Sequence, residues 1–237
     1  MRILAPRLMP WLCLAGALVA CGRPTPRGGA KARVDPRDHA RSEAARRAAL
    51  QLGHAEVRKR LGGHVLSATH KVASTLDGKP ERSWTDTYRL ACRENGDCHG
   101  RLDNSLEYGV EFVRIGDQTW FRHRYQTFQQ FREEPDQAAQ RAAKLWGTGA
   151  AVTGLLAGWL RLVPAGETAV AGRKGRRYTL QARSKPQPVA VSGRRAWRAK
   201  MTVTKLSGEV VLDQATGVPL RWQVAYALTA PRGAQQF

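Results

Sequence analysis

Gly208-Glu209-Val210-Val211-Leu212-Asp213-Gln214-Ala215-Thr216-Gly217-Val218-Pro219-Leu220-Arg221 is the stretch on which the reading of the fold turns. An apolar run leads into it. Asp213 can close an Asx-type turn, Gly217 can take positive φ, and Pro219 follows the turn. Beyond it Leu220, Trp222, Val224, Tyr226 and Leu228 alternate with Arg221, Gln223, Ala225, Ala227 and Thr229. A period of two with one apolar face is the pattern of an antiparallel sheet covered on a single side. Two strands are therefore expected, over about 196–211 and 218–229, joined by a tight turn.

The same period recurs upstream. Residues 64–76 end at the turn cluster Leu76-Asp77-Gly78-Lys79-Pro80, and 81–92 follow with Trp84, Tyr88, Leu90 and Cys92 on one face. Further strands are expected over 99–109, 110–115, 119–125, 167–171 and 176–183, an antiparallel meander. Cys92 and Cys98 flank Arg93-Glu94-Asn95-Gly96-Asp97, where Asn-Gly is a strong hairpin-turn signal. In an oxidising compartment that pair is expected to form a disulfide. A metal reading of the pair has only His99 as a neighbouring ligand, and no metal site is expected. Ahead of the meander, Asp35-Pro36 reads as a helix cap and first turn, and Ala40, Ala44, Ala48, Leu52, Val57 and Leu61 keep a helical spacing until Gly62-Gly63.

The chain begins with a basic stretch, Met1 to Arg7, and an apolar run, Leu8 to Ala20, too short to span a bilayer. That is the pattern of a secretory signal. The pentapeptide Leu18-Val19-Ala20-Cys21-Gly22 resembles the lipobox of bacterial lipoproteins. The resemblance implies cleavage before Cys21, a diacylglyceryl thioether on that cysteine and acylation of the new amine. Two or three such chains would anchor the protein to the lipid bilayer. Gly22 is not the aspartate that retains such proteins at the inner membrane, so the outer membrane, facing the periplasm, is favoured. The alternative is an ordinary cleaved signal with a chance cysteine. Residues 22–34 (GRPTPRGGAKARV) read as a basic tether. The expected organisation is a signal over 1–20, a lipidated cysteine and tether over 21–34, one domain over 35–230 and a tail over 231–237.

Lys and Arg number 39 against 19 Asp and Glu, a formal charge of +20. Such a surface is drawn to anionic lipid, lipopolysaccharide or teichoic polymer. Export sets nucleic acid aside, and a monomer is expected.

The most informative internal segment follows Glu134-Pro135-Asp136, a second helix start expected to run to about 163. Its sixteen residues from Leu145 to Leu160 carry no charge. As a transmembrane span the segment offers Gly154 and Gly158 at GxxxG spacing, but spanning would leave two incomplete sheets with exposed edges. As a plain core helix it would be apolar all round, yet Gly147, Gly149, Gly154 and Gly158 would each cost about 1 kcal/mol against alanine. As a broken helix over the mouth of a curved sheet, its small residues would leave room for an acyl chain. On that reading Phe112, Trp120, Trp146, Leu155, Leu156, Trp159, Trp222 and Tyr226 are candidate cavity residues. Ordinary core packing is the alternative for each of them.

The order of elements and the 208–221 turn together resemble the LolA/LolB and LppX/LprG superfamily of periplasmic lipid-handling proteins. The resemblance implies an α+β fold, with a strongly curved antiparallel sheet (an unclosed β-barrel) packed over an N-terminal helix and an inserted apolar helical segment. It also implies an apolar cavity for lipoprotein acyl chains, glycolipids or other lipids. The superfamily has no catalytic motif to carry over. Nor does the chain hold a Gly-x-Ser-x-Gly elbow or a His-Glu-x-x-His zinc site, and Gly172-Arg173-Lys174-Gly175 lacks the length and hydroxyl of a phosphate loop. His39, His54, His64, His70, His99 and His123 are scattered, and nothing singles out Asp103, Glu107, Glu111 or Asp117 as paired carboxylates. The expectation is an anchored lipoprotein, not an enzyme and without a cofactor, that binds or transfers lipid or lipoprotein cargo. The alternative is an envelope adaptor that binds a protein or anionic polymer through its basic surface.

Overall fold

The computed structural model describes residues 34–76, 78–131, 135–188 and 193–230. The signal, Cys21, the tether as far as Arg33 and the tail lie outside the described residues.

The N-terminal helical region is three pieces where one helix was expected. A 3-10 turn spans Pro36–Ala40, with the Asp35 side chain accepting from Arg37 N. Helix α1 (Glu43–Leu50) starts at Ser42, whose hydroxyl accepts from Ala45 N, and helix α2 (His54–Leu61) starts at Gly53. Both cap residues have extended backbones, so each restarts the helix and interrupts the alanine spacing. Gly62, at φ 69°, ends α2.

Strands β1 (His64–Leu76), β2 (Lys79–Cys92), β3 (Cys98–Asn104), β4 (Gly109–Ile115), β5 (Gln118–His123) and β6 (Gln129–Phe131) form a six-stranded antiparallel sheet in chain order. Helix α3 (Pro135–Leu155) follows. Strands β7 (Leu160–Val170), β8 (Arg173–Ala182), β9 (Thr202–Asp213) and β10 (Pro219–Thr229) form a second antiparallel sheet, with a 3-10 segment at Gly193–Lys200 before β9. The architecture is antiparallel α+β, not closed into a barrel, and its strands divide into two hydrogen-bonded sheets at the point where α3 enters.

The apolar helix ends earlier than residue 163. Trp159 N and Leu160 N both bond Leu156 O, a turn that releases the chain into β7, where Leu160 pairs with Ala182. Leu160 and Leu162 are buried while Arg161 between them is exposed, the alternation of a strand. No helix among the described residues is long and apolar enough to cross a membrane.

One face of each half of α3, with Leu156 just beyond its end, packs into a core. Ala142 and Leu145 join Leu90, Cys92, Cys98 and Phe112 in the core of the first sheet. Val152 and Leu156 join Ala49 and Leu50 of α1 and Leu160, Leu162, Tyr178, Leu180, Val210 and Leu212 of the second. A small third cluster, Leu52, Val57 and Val218, lies under Trp146, whose indole N–H donates to Leu52 O at 2.9 Å. Gly100 lets Phe112 lie flat on β3, because a Cβ there would stand 2.1 Å from Phe112 Cε1 and 2.7 Å from Leu145 Cδ1.

Buried polar groups tie the N-terminal turn to the second sheet. His39 Nε2 faces the Asp213 carbonyl at 3.1 Å and so carries the proton, leaving Nδ1 to accept from the Tyr178 hydroxyl at 2.7 Å. The 208–221 turn closes on Asp213, whose Oδ1 accepts from Ala215 N at 3.0 Å and Thr216 N at 2.8 Å, while Arg173 Nε donates to Oδ2 at 2.6 Å. Gly217 at φ 69° leaves no room for a side chain, since a Cβ would stand 2.5 Å from Pro36 O.

Candidate functional site

The cavity candidates fall into two groups. Phe112 and Trp146 pack with the first sheet; Leu155, Leu156, Trp159, Trp222 and Tyr226 pack with the second. Trp120 belongs to neither: the β4–β5 register sets Phe121 opposite Phe112 and Trp120 opposite Val113, on the other face of the sheet. A strand read from 119 with no partner register could not tell the two aromatic neighbours apart. The large apolar side chains of the segment are covered, Leu145 at 7% and Leu156 at 1% exposure. Among the small residues expected to leave room, Gly147, Gly149 and Gly154 are half-buried, and a Cβ on Gly147 or Gly149 would meet nothing within 4 Å. Half-buried apolar side chains persist along β9 and β10, at Leu206, Trp222, Val224, Tyr226 and Leu228, and burial raises the Tyr226 phenol above its usual range.

A polar groove opens at the C-terminal end of α2, lined by Ala55, Arg58, Lys59, Arg60, Leu61, Gly62, Gly63 and Glu94. Three cations end the helix, where the backbone carbonyls favour positive charge. Arg60 is engaged, donating to Glu56 at 2.8 Å and to the Thr216 carbonyl at 2.7 Å. Arg58 and Lys59 are exposed and form no ion pair with an acidic side chain among the described residues. Arg58 lies over the Arg93–Asp97 turn, its Nη1 2.9 Å from where a Cβ on Gly96 would stand. This groove was not singled out in the sequence, although Arg58-Lys59-Arg60 before Gly62-Gly63 was there to be read as a cationic helix end beside unobstructed backbone.

Directly beneath, Cys92 and Cys98 are joined by a disulfide, with Cα atoms 4.2 Å apart across β2 and β3. Two histidines converge on it. His54 Nε2 lies 3.6 Å from Cys92 Sγ and 3.2 Å from His64 Nε2, and both rings contact Trp146. Burial first, then the neighbouring His64 and Arg58 charges, hold His54 down to about 4. His99, the neighbour weighed in the metal reading that was set aside, bonds Glu111 Oε1 at 2.7 Å.

The acidic side chains considered for paired chemistry sit among cations. Arg101 pairs with Asp103, and Arg122 and His99 share Glu111. Burial would raise the Glu111 carboxyl, but its bonds from Arg122 and His99 outweigh that and hold it low. Glu107 occupies a turn at φ 66°.

No family model matches the chain, and no curated protein does. Among solved structures it is similar to a crystal structure of MucB, at 20% identity over 81% of this chain and 60% of that chain, with a TM-score of 0.28. It is similar also to the complex structure of Pseudomonas aeruginosa MucA/MucB, at 18% identity over 76% of this chain and 56% of that one, TM-score 0.26. A crystal structure of MucB in complex with MucA(peri) matches at 16% identity over 79% and 54%, TM-score 0.25. The chain thus spans about three fifths of the length of the first of these, where the share is 60%. Likenesses this slight assign neither a fold nor a partner.

Proposed function

We propose that this chain is a non-enzymatic adaptor of the cell envelope, held to a membrane by lipid on Cys21, that binds an acidic protein segment or anionic polymer through its basic face. The observation that carries this is the α2 groove, where Arg58 and Lys59 are exposed and form no ion pair with an acidic side chain among the described residues, beside Gly62, Gly63 and the single carboxylate of Glu94. The packing of α3 supports it, because the uncharged segment spends its apolar side chains on the two cores. Exposed cations meeting a polyanion attract through solvent, so affinity is expected to fall steeply as salt shortens the screening length. Fluorescence anisotropy of labelled poly-L-glutamate with the full chain in detergent tests this. Tight binding at low salt that weakens progressively toward physiological salt is expected; no binding, or binding indifferent to salt, would overturn the reading.

A second reading, an acyl ligand, rests on the half-buried row along β9 and β10. There Trp222 Nε1 is buried without a hydrogen-bond partner among the described residues, the kind of gap a ligand fills. Native mass spectrometry of the purified chain would show a co-purifying lipid if this row is the binding surface.

A further inference from the structure

The cluster beneath the groove sets three ligand atoms at the spacing of a tetrahedral metal site, its sulfur standing in the Cys92–Cys98 disulfide. Zinc takes imidazole nitrogen at about 2.0–2.1 Å and thiolate at about 2.3 Å in a tetrahedron, which sets nitrogen–nitrogen edges of about 3.3 Å and nitrogen–sulfur edges of about 3.6 Å. The His54 Nε2–His64 Nε2 distance is 3.2 Å and the His54 Nε2–Cys92 Sγ distance 3.6 Å, with all three atoms within 4.8 Å of one another. His64 is already oriented as a ligand. Its Nδ1 lies 3.0 Å from the Gly62 carbonyl, which can only accept, so Nδ1 carries the proton and Nε2 keeps its lone pair toward the cluster. His54 would bind through Nε2 in its other neutral tautomer. Three chain segments supply these atoms, the first turn of α2, the first residue of β1 and the last of β2, so the arrangement is made by the tertiary fold.

We infer that His54, His64 and Cys92 form a redox-gated zinc site, closed while the disulfide stands and opened by a dithiol reductant, which also frees the Cys98 side chain to turn in as fourth ligand. In the oxidised chain Cys92 has no thiolate to give. Attack by a reductant thiolate on one sulfur breaks the S–S bond and forms a mixed disulfide, which the second reductant thiol resolves. The protein gains two electrons and two protons as two thiols, and the reductant leaves as its own disulfide. Zinc then displaces the two thiol protons. The bound ion would clamp α2 to β1 and β2 directly below Arg58 and Lys59. Arg58, held over the turn between the cysteines, favours the thiolate forms.

The test uses the full chain in detergent, reduced with a water-soluble phosphine, desalted anaerobically and titrated with Co(II) and then Zn(II). One Co(II) per chain is expected, with thiolate-to-cobalt charge transfer and the visible bands of a tetrahedral ion, displaced by Zn(II) and missing from the oxidised chain. His64→Ala and His54→Gln are expected to weaken zinc by more than about tenfold, since even outer-shell changes cost that much. X-ray absorption of the zinc-loaded wild type needs no variant to fold: a shell of two imidazole nitrogens and two sulfurs supports the site. A shell without sulfur, equal binding by the oxidised chain, or unchanged affinity in the histidine variants would overturn it.

Discussion

Truncating Leu156 to alanine separates a helix that fills a core from one that shelters a cavity. Leu156 is 1% exposed and packs among Leu160, Leu162, Tyr178, Leu180, Val210 and Leu212. Three carbons leave the interior, worth about 0.8 kcal/mol each and so about 2.4 kcal/mol in transfer. The space left behind adds about 24 cal/mol per Å³, on the order of 1 kcal/mol for a void of some tens of Å³. A loss of about 3–4 kcal/mol is expected in urea unfolding of the full chain, seen as a lower midpoint at unchanged slope. Leu155→Ala, at a half-buried neighbour, is expected to lose less than half as much. Adding a long-chain fatty acid is expected to restore neither variant. A Leu156→Ala cost under about 1 kcal/mol, or recovery with fatty acid, would refute the packing argument and favour the acyl-ligand reading.

Gly100→Ala would set a methyl 2.1 Å from Phe112 Cε1 and 2.7 Å from Leu145 Cδ1, so thermal unfolding should show a loss of about 3 kcal/mol, eased by pairing it with Phe112→Leu. Burial holds the His39 imidazole below its ordinary value, so the unfolded chain takes up that proton first as pH falls. The stability involved is complete above the ordinary histidine pKa of about 6.5 and is lost below it; urea midpoints at pH 7.5 and 5 should show the fall, and His39→Gln should reduce it. Asp213→Ala removes the acceptor for Ala215 N, Thr216 N and Arg173 and should cost about 3 kcal/mol, whereas Thr216→Val, which keeps that carboxylate, should cost about 1 kcal/mol by the same melt.

Local chemistry made much of this fold legible. The Asp213 turn and the alternation from Leu220 to Leu228 predict β10 and the end of β9, although the stretch from 196 expected as strand begins as a 3-10 segment. A bulge between Ser74 and Thr75, invisible in the sequence, shifts the register so that His64 meets Cys92. What stayed hidden was decided by competition between signals. Alanine spacing across 40–52 outweighed Ser42, whose hydroxyl caps α1, and Gly53, whose extended backbone interrupts the helix before α2. The uncharged run crosses from α3 into β7 without a change in composition, and only the two-residue period from Leu160 marks the boundary. Trp120 and Phe121 exchange roles because face assignment depends on a partner strand. The histidine–cysteine cluster joins residues 54, 64 and 92, brought together by tertiary packing in which no spacing motif takes part.

The central claim is that the end of α2 is a binding surface for acidic partners, and reversing its charge tests it most directly. Arg58→Glu with Lys59→Glu replaces two attractive groups by two repulsive ones, and exposed pairs are each worth up to about 1 kcal/mol. Affinity of the full chain for labelled poly-L-glutamate should therefore fall at least about tenfold, the equivalent of about 1.4 kcal/mol. Lys71→Glu with Arg82→Glu makes the same change in net charge at exposed positions on the β1–β2 hairpin and should leave most of the affinity in place. Equal losses in the two double variants, or none in the first, would contradict a site at the α2 groove.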